Sequence, residues 1–147
     1  MQTPLRTLLL QKSGRTQSVA PESTVAEAVE VMNATNVGSV LVMDGARLVG
    51  IFTERDVLRR VVGSHMAPEK TRVSEVMTEQ LAVMRPTSTV ADAMAVVSEK
   101  RVRHLPVVED GRVLGVISAG DLNHWLIRGH QVQIDQLVDY ITQRYPA

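Results

Sequence analysis

The residues with the clearest chemical potential sit in one seven-residue pattern that the chain carries twice. Gly50-Ile51-Phe52-Thr53-Glu54-Arg55-Asp56 and Gly115-Val116-Ile117-Ser118-Ala119-Gly120-Asp121 each read glycine, two apolar residues, a hydroxyl residue, two variable positions and an aspartate. A strand ending at the hydroxyl residue hands over to a helix whose first N–H groups have no intrahelical partner. Those N–H groups, with the positive end of the helix dipole, suit an anion such as a phosphate. The aspartate, one turn in, lies on the hydroxyl's side and accepts two hydrogen bonds, which a ribose diol would supply. The same spacing is also a plain capping box, in which hydroxyl and carboxylate satisfy backbone N–H groups and nothing more. Both readings stand on these residues alone, because duplication copies a cap as faithfully as a site.

A second cluster, Lys100-Arg101-Val102-Arg103-His104-Leu105-Pro106, passes from a helix into a strand. Lys100 and Arg101 suit a helix C-terminus through its dipole. Arg103 and His104 stand at the strand's start, where an arginine offers a phosphate its bidentate fork. The corresponding Gly38 and Ser39, 65 residues earlier, carry no charge, so two such sites would be unequal. Other reactive types do not assemble. His124 and His130 are six apart, which is not a helical ligand spacing. No Walker-type loop, Ser-His-Asp set or carboxylate pair is present. Nothing supplies nucleophile, base and oxyanion donors together, so catalysis is not expected.

The elements that position these residues come from an internal repeat. Pro21-Glu22-Ser23-Thr24-Val25-Ala26-Glu27-Ala28-Val29 returns 65 residues later as Pro86-Thr87-Ser88-Thr89-Val90-Ala91-Asp92-Ala93-Met94, and Gly50 and Asp56 return as Gly115 and Asp121. Val25, Ala28, Val29 and Met32, like Val90, Ala93, Met94 and Val97, form i, i+3, i+4, i+7 stripes of an amphipathic helix. Short apolar runs at 40–43 and 105–108 read as strands covered on both faces. Asp44-Gly45 and Asp110-Gly111 supply positive-φ turn residues to a hairpin with 47–52 and 112–117. Pro106 places its strand at an edge or near its start. A second helix follows Thr53 and Ser118, with Val57, Leu58 and Val61, or Leu122, Trp125 and Leu126, facing inward. The order is helix, strand, strand, helix, twice, an α/β pair of repeats.

The expected organisation is a lead-in helix and loop over 1–16, repeat one over 17–62, a linker and second lead-in over 63–80, repeat two over 81–128 and a terminal helix over 129–147. Each lead-in is expected to serve the repeat that follows it. The tail carries Ile134, Leu137, Val138 and Ile141 at helical spacing, for packing on the domain or on a second subunit.

Composition narrows the function classes. The 147 residues hold sixteen Lys+Arg against sixteen Asp+Glu, so no excess positive field attracts nucleic acid. Phe52, Trp125, Tyr140 and Tyr145 are too few for base-stacking platforms. No apolar run reaches the roughly 18 residues of a membrane span. The absence of cysteine removes disulfides and thiolate zinc sites and fits a cytoplasmic protein.

The doubled pattern and the strand opening Val102-Arg103-His104-Leu105-Pro106-Val107-Val108 resemble a pair of cystathionine β-synthase (CBS) domains, the Bateman module, over about residues 5–126. The resemblance is to small bacterial CBS-pair proteins with no fused enzyme domain. It implies a pseudo-two-fold pair with facing sheets and two clefts that take AMP, ADP, ATP, NAD(H) or S-adenosylmethionine. It assigns ribose to Asp56 and Asp121 and phosphate to Thr53 and Ser118, beside the variable motif positions Arg55 and Gly120. Each cleft borrows the strand opening of the other repeat: Val102, Arg103 and His104 with Thr53 and Asp56; Val37, Gly38 and Ser39 with Ser118 and Asp121. Ile51, Val116 and Leu105 would flank the adenine, and the longer first lead-in offers Lys12 and Thr16. The resemblance further implies a homodimer and a regulatory role toward a protein effector. The alternative is a structural dimerisation module without a nucleotide.

Overall fold

The structure, a computed structural model, describes residues 1–12 and 16–144. In chain order the elements are α1 (Leu5–Gln11), β1 (Ser18–Val19), α2 (Val25–Thr35), β2 (Ser39–Asp44), β3 (Arg47–Thr53) and α3 (Glu54–Asp56), which continues as a π-helical stretch over Val57–Val62. Then come α4 (Val73–Val76), α5 (Val90–Lys100), β4 (His104–Glu109), β5 (Arg112–Ser118) and α6 (Ala119–Arg144). The expected Tyr145 end of the tail and the loop residues Ser13, Gly14 and Arg15 lie outside the described residues.

The repeat is legible in its caps. Thr24 accepts the Glu27 N–H while the Glu27 carboxylate takes the Thr24 N–H, and Thr89 and Asp92 do the same at α5. Both helices stop on left-handed residues, Asn36 and Arg101 (φ 52° and 53°). Both hairpins turn on two residues. Asp110 and Gly111 have φ of 50° and 75°, as a type I′ turn requires. In the first hairpin Gly45 takes the positive φ (62°), while Asp44, expected to share it, is the last residue of β2 and pairs with Arg47.

Alternation along β2 distributes its side chains between two cores. Val40 and Val42 join Val25, Ala28 and Phe52 under the helices of repeat one. Leu41 faces the other way and meets Ile51 and Val116 of the opposing sheet, so the sheets of the two repeats pack face to face. Repeat two builds its own core from Val90, Ala93, Leu105, Val107, Ile117 and Leu122.

Among the described residues, repeat one has three strands in the order β1-β2-β3, and repeat two has β4 and β5 alone. Leu41 explains the difference. Its N–H donates to the Gln17 carbonyl at 3.0 Å, but Pro106, at the corresponding position, has no N–H to give. Only a single bridge remains, in which Met84 donates to Pro106 and accepts from Val108.

Three expectations are corrected. The lead-ins cross: Leu5 and Leu8 of α1 are buried in the core of repeat two, and Val73 and Val76 of α4 in that of repeat one. Backbone bonds hold the exchange, Leu5 N–H to Ser88 at 2.8 Å and Val73 N–H to Ser23 at 2.8 Å. Each lead-in thereby covers the first helix of the repeat it was not expected to serve. Leu58 points outward, 64% exposed, while Val61 is fully buried. The π-helical turn accounts for this, since its wider i→i+5 spacing, seen in Gly63 N–H to Leu58, shifts the inward face. Finally, among the described residues the expected terminal helix is not separate: α6 runs unbroken for 26 residues from the second motif.

Candidate functional site

Two clefts open between the repeats, and the crossed lead-ins shape both. The motif glycines show why. A Cβ on Gly115 would lie 2.8 Å from Leu9 Cδ2 of α1, and one on Gly50 2.7 Å from Met77 Sδ and 3.1 Å from the Thr78 carbonyl oxygen. These positions are bare so that a lead-in can press against the strand. The chain leaving α1 then carries Lys12 and Thr16 onto the motif of repeat two, and the chain leaving α4 carries Thr78 onto that of repeat one.

The larger cleft has a volume of about 590 Å³ and brings together Lys12, Thr16, Val37, Gly38, Ser39, Val116 and Ser118 with His104. Lys12 Nζ donates to the Val116 carbonyl at 2.8 Å and to Asp121 Oδ2 at 2.9 Å. Asp121 accepts the Ser118 N–H at 2.8 Å, and Ser118 Oγ takes the Asp121 N–H at 3.0 Å. Partial burial of Asp121 favours its neutral form, but the Ser118 backbone bond and the Lys12 ammonium outweigh it and hold the carboxyl below the usual range. Asp121 lines a neighbouring depression of about 110 Å³ that shares Lys12 with the cleft, rather than the cleft wall. Gly120 sits on the exposed first turn of α6 and lines neither cleft.

The smaller cleft, about 200 Å³, gathers Ile51, Thr53, Arg55 and Asp56 with Val102, Arg103 and His104 from the other repeat. Here the carboxylate is deeply engaged. Asp56 is 6% exposed. It accepts from the Thr53 N–H at 3.0 Å, Thr53 Oγ1 at 3.2 Å and Thr78 Oγ1 at 3.1 Å, with Arg60 Nε 3.5 Å away. Leu105, expected beside an adenine, reaches neither cleft. Alternation along β4 turns it to the face opposite His104, where it is fully buried in the repeat-two core.

His104 lines both clefts. Burial pushes its pKa below the ordinary value and the Lys12 ammonium adds to this, with Glu54 and Asp121 pulling the other way. Sequence reasoning set Arg101 aside as a helix-end cation, yet it lines the smaller cleft, as its counterpart Asn36 lines the larger one. Thr78 was missed because the crossing that delivers it leaves no mark in the sequence. Glu54 was missed as well; its carboxylate stands where a Gly38 side chain would meet it, 3.2 Å from the Cβ position. Among the described residues no cluster of three ligating side chains could hold a metal ion, and no helix is long and apolar enough to cross a membrane.

Residues 15–63 and 73–128 match the CBS domain family. The chain is 33% identical over 129 residues to the mitochondrial CBS domain-containing protein CBSX3 of Arabidopsis thaliana, covering 84% of this chain and 63% of that protein, so it spans less than two-thirds of that relative. It is similar to the crystal structure of a CBS-domain containing protein from Agrobacterium tumefaciens, with 35% identity, a TM-score of 0.78 and coverage of 83% and 98% of the two chains. A CBS domain protein from Pyrobaculum aerophilum complexed with AMP shares the fold at 21% identity, with a TM-score of 0.72 over 80% of this chain and 88% of that one. With both repeats matched and their sheets packed face to face, the chain belongs to the CBS-domain family as a pair of CBS repeats.

Proposed function

We propose that this CBS pair is a non-catalytic regulatory module that binds an adenosine-containing ligand between its repeats and passes its occupancy on to a protein effector. The candidates are AMP, ADP, ATP, NAD(H) and S-adenosylmethionine, in a cytoplasmic homodimer. The observation that carries this reading is the cleft of about 590 Å³, lined by the Lys12 ammonium and the Ser118 end of α6 together with the aliphatic side chains of Val37, Leu41 and Val116. That volume lies within the roughly 300–1,000 Å³ of small-molecule sites, and the other cleft, at about 200 Å³, lies below it. Lys12 also answers the missing Arg-His pair at Gly38-Ser39, since it brings a cation to this cleft from the exchanged lead-in. The first ligand is therefore assigned to this cleft, its phosphate to Lys12 and Ser118, with the ribose reaching past Lys12 to Asp121 in the adjoining depression. Ligand would bridge the repeats and favour one arrangement of them through its differential affinity. The AMP-bound relative supports the ligand class.

Thermal unfolding against these ligands tests the reading. At 100 times its Kd a ligand stabilises by about 2.7 kcal/mol, a shift on the order of 5–10 °C here. The shift is expected to vanish in Asp121→Ala and survive in Asp56→Ala. If no ligand shifts the transition, the second reading takes over, a dimerisation module indifferent to nucleotides. One observation favours it: both motif carboxylates already act as caps.

A further inference from the structure

Beyond Leu126 the last helix leaves its own domain. Leu122 and Trp125 anchor α6 on repeat two and Leu126 is partly buried, but every residue from 127 to 142 is exposed. Most of the large apolar residues of that segment lie to one side, Val132 and Tyr140 excepted. At 3.6 residues per turn, Ile127, His130, Ile134, Leu137, Val138 and Ile141 fall within an arc of about 100°. The arc's centre is turned by about 140° from that of Leu122 and Trp125, so it is a second apolar face, joined to the first at Leu126. Ile127, Ile134, Leu137 and Ile141 are 67%, 53%, 62% and 57% exposed.

The spacing identifies what covers it. Ile127, Ile134 and Ile141 recur every seven residues, with His130 and Leu137 between them, which is the a/d pattern of a two-stranded coiled coil. The charged side chains of the segment, Arg128, Asp135 and Asp139, fall at the b and f positions, away from the seam. The flanking e and g positions hold Gln131, Val138, Leu126, Gln133 and Tyr140, none charged. Charges at e and g are what direct a coiled coil to a different partner, and none is provided. A seam of repeated isoleucine with nothing to repel its own copy is complementary to itself.

We propose that residues 127–141 of α6 form a parallel, in-register seam with the same segment of a second copy of this chain. Isoleucine at a with leucine at d favours two parallel strands, and the His130 pair forms one polar layer that fixes register. The seam is about 22 Å long at 1.5 Å per residue. It holds the two CBS pairs side by side at one end, whatever their clefts bind.

The chain has no cysteine, so a single introduced thiol reports on its own. Ile134→Cys is expected to oxidise to a covalent dimer roughly tenfold faster than Asp139→Cys on the outer face, because a disulfide needs Cα atoms within about 7 Å. By sedimentation, Ile134→Asp/Leu137→Asp is expected to weaken the dimer by about a hundredfold or more, as it buries unpaired charge. Both positions are exposed in the single chain, so its fold, followed by circular dichroism, stays intact. Equal oxidation at the two positions, a double variant that dimerises like the parent, or a parent that is monomeric at tens of micromolar would each overturn the proposal. So would a covalent dimer that forms only on mixing Ile127→Cys with Ile141→Cys, since that marks antiparallel pairing.

Discussion

Leu5 lies on a seven-residue helix at the start of the chain, yet it is fully buried among residues of repeat two, more than eighty positions away. Leu5→Ala would leave a cavity facing the core that holds Leu105, Ile117 and Leu122. Substitutions of this kind cost about 2–5 kcal/mol, depending on how far the surroundings collapse. Collapse is restricted here. The Leu5 and Arg6 N–H groups are tied to Ser88 and Pro86 at 2.8 and 3.0 Å, and the Thr3 carbonyl receives the Val90 N–H at 2.9 Å. We therefore expect a loss near 3 kcal/mol, which for a chain of this size lowers the unfolding midpoint by about 10 °C. The informative assay is native-state hydrogen exchange. Amides of β4, β5 and α5 should lose protection while those of β2 and β3 keep theirs, and Val73→Ala should show the reverse. A loss below about 1 kcal/mol, or earlier exposure of repeat one in Leu5→Ala, would refute the crossed arrangement.

Three further outcomes follow from the geometry. Gly50→Ala should destabilise more than Gly115→Ala, because its Cβ meets a backbone oxygen at 3.1 Å, whereas Gly115 meets the end of a leucine side chain; urea unfolding of the pair checks the order, within the roughly 1–3 kcal/mol of overpacking changes. Lys12→Met should alter stability by less than about 1 kcal/mol, since the Lys12–Asp121 pair is partly exposed, yet weaken a phosphate-bearing ligand about tenfold or more by calorimetry. His104 has a folded pKa below its unfolded value, so the unfolded chain takes up the proton first. Its contribution is complete above about pH 6.5 and is lost as pH falls through the folded value. Urea midpoints taken between about pH 7.5 and 5 should fall more steeply for the parent than for His104→Asn, and parallel curves would count against this.

The repeat, its helices and its hairpins were legible because each is set by local chemistry: caps at Thr24 and Thr89, stripes at Val25 and Val90, glycine at the turns. The pairing of Val102, Arg103 and His104 with the opposite motif came from family resemblance, and they line the smaller cleft with Thr53. What stayed hidden depends on contacts between distant segments. Neither Leu5 nor Val73 reveals which of two similar cores it enters, because the cores present near-identical helix N-termini to any apolar lead-in. The unequal cleft sizes were hidden for the same reason, as Lys12 and Thr78 arrive by that exchange. Leu105 was misplaced by a simpler fault: position in a motif was taken for orientation, although strand alternation turns neighbours to opposite faces.

Pro106 bears on how one copy of the chain avoids pairing its sheet with that of another. A half-open sheet offers backbone donors and acceptors along its margin, and another chain can extend it strand by strand. Repeat one closes its margin with β1. Repeat two has no such strand. Where Leu41 donates to Gln17, the ring of Pro106 offers no hydrogen at all, and the Pro106 carbonyl is already taken by Met84. An incoming strand would find the ladder broken at its middle rung. The residue that cost repeat two its third strand thus also guards the edge that the Met84 bridge covers only in part, and Pro106→Leu, which restores a backbone N–H, would give the chain a template for aggregation.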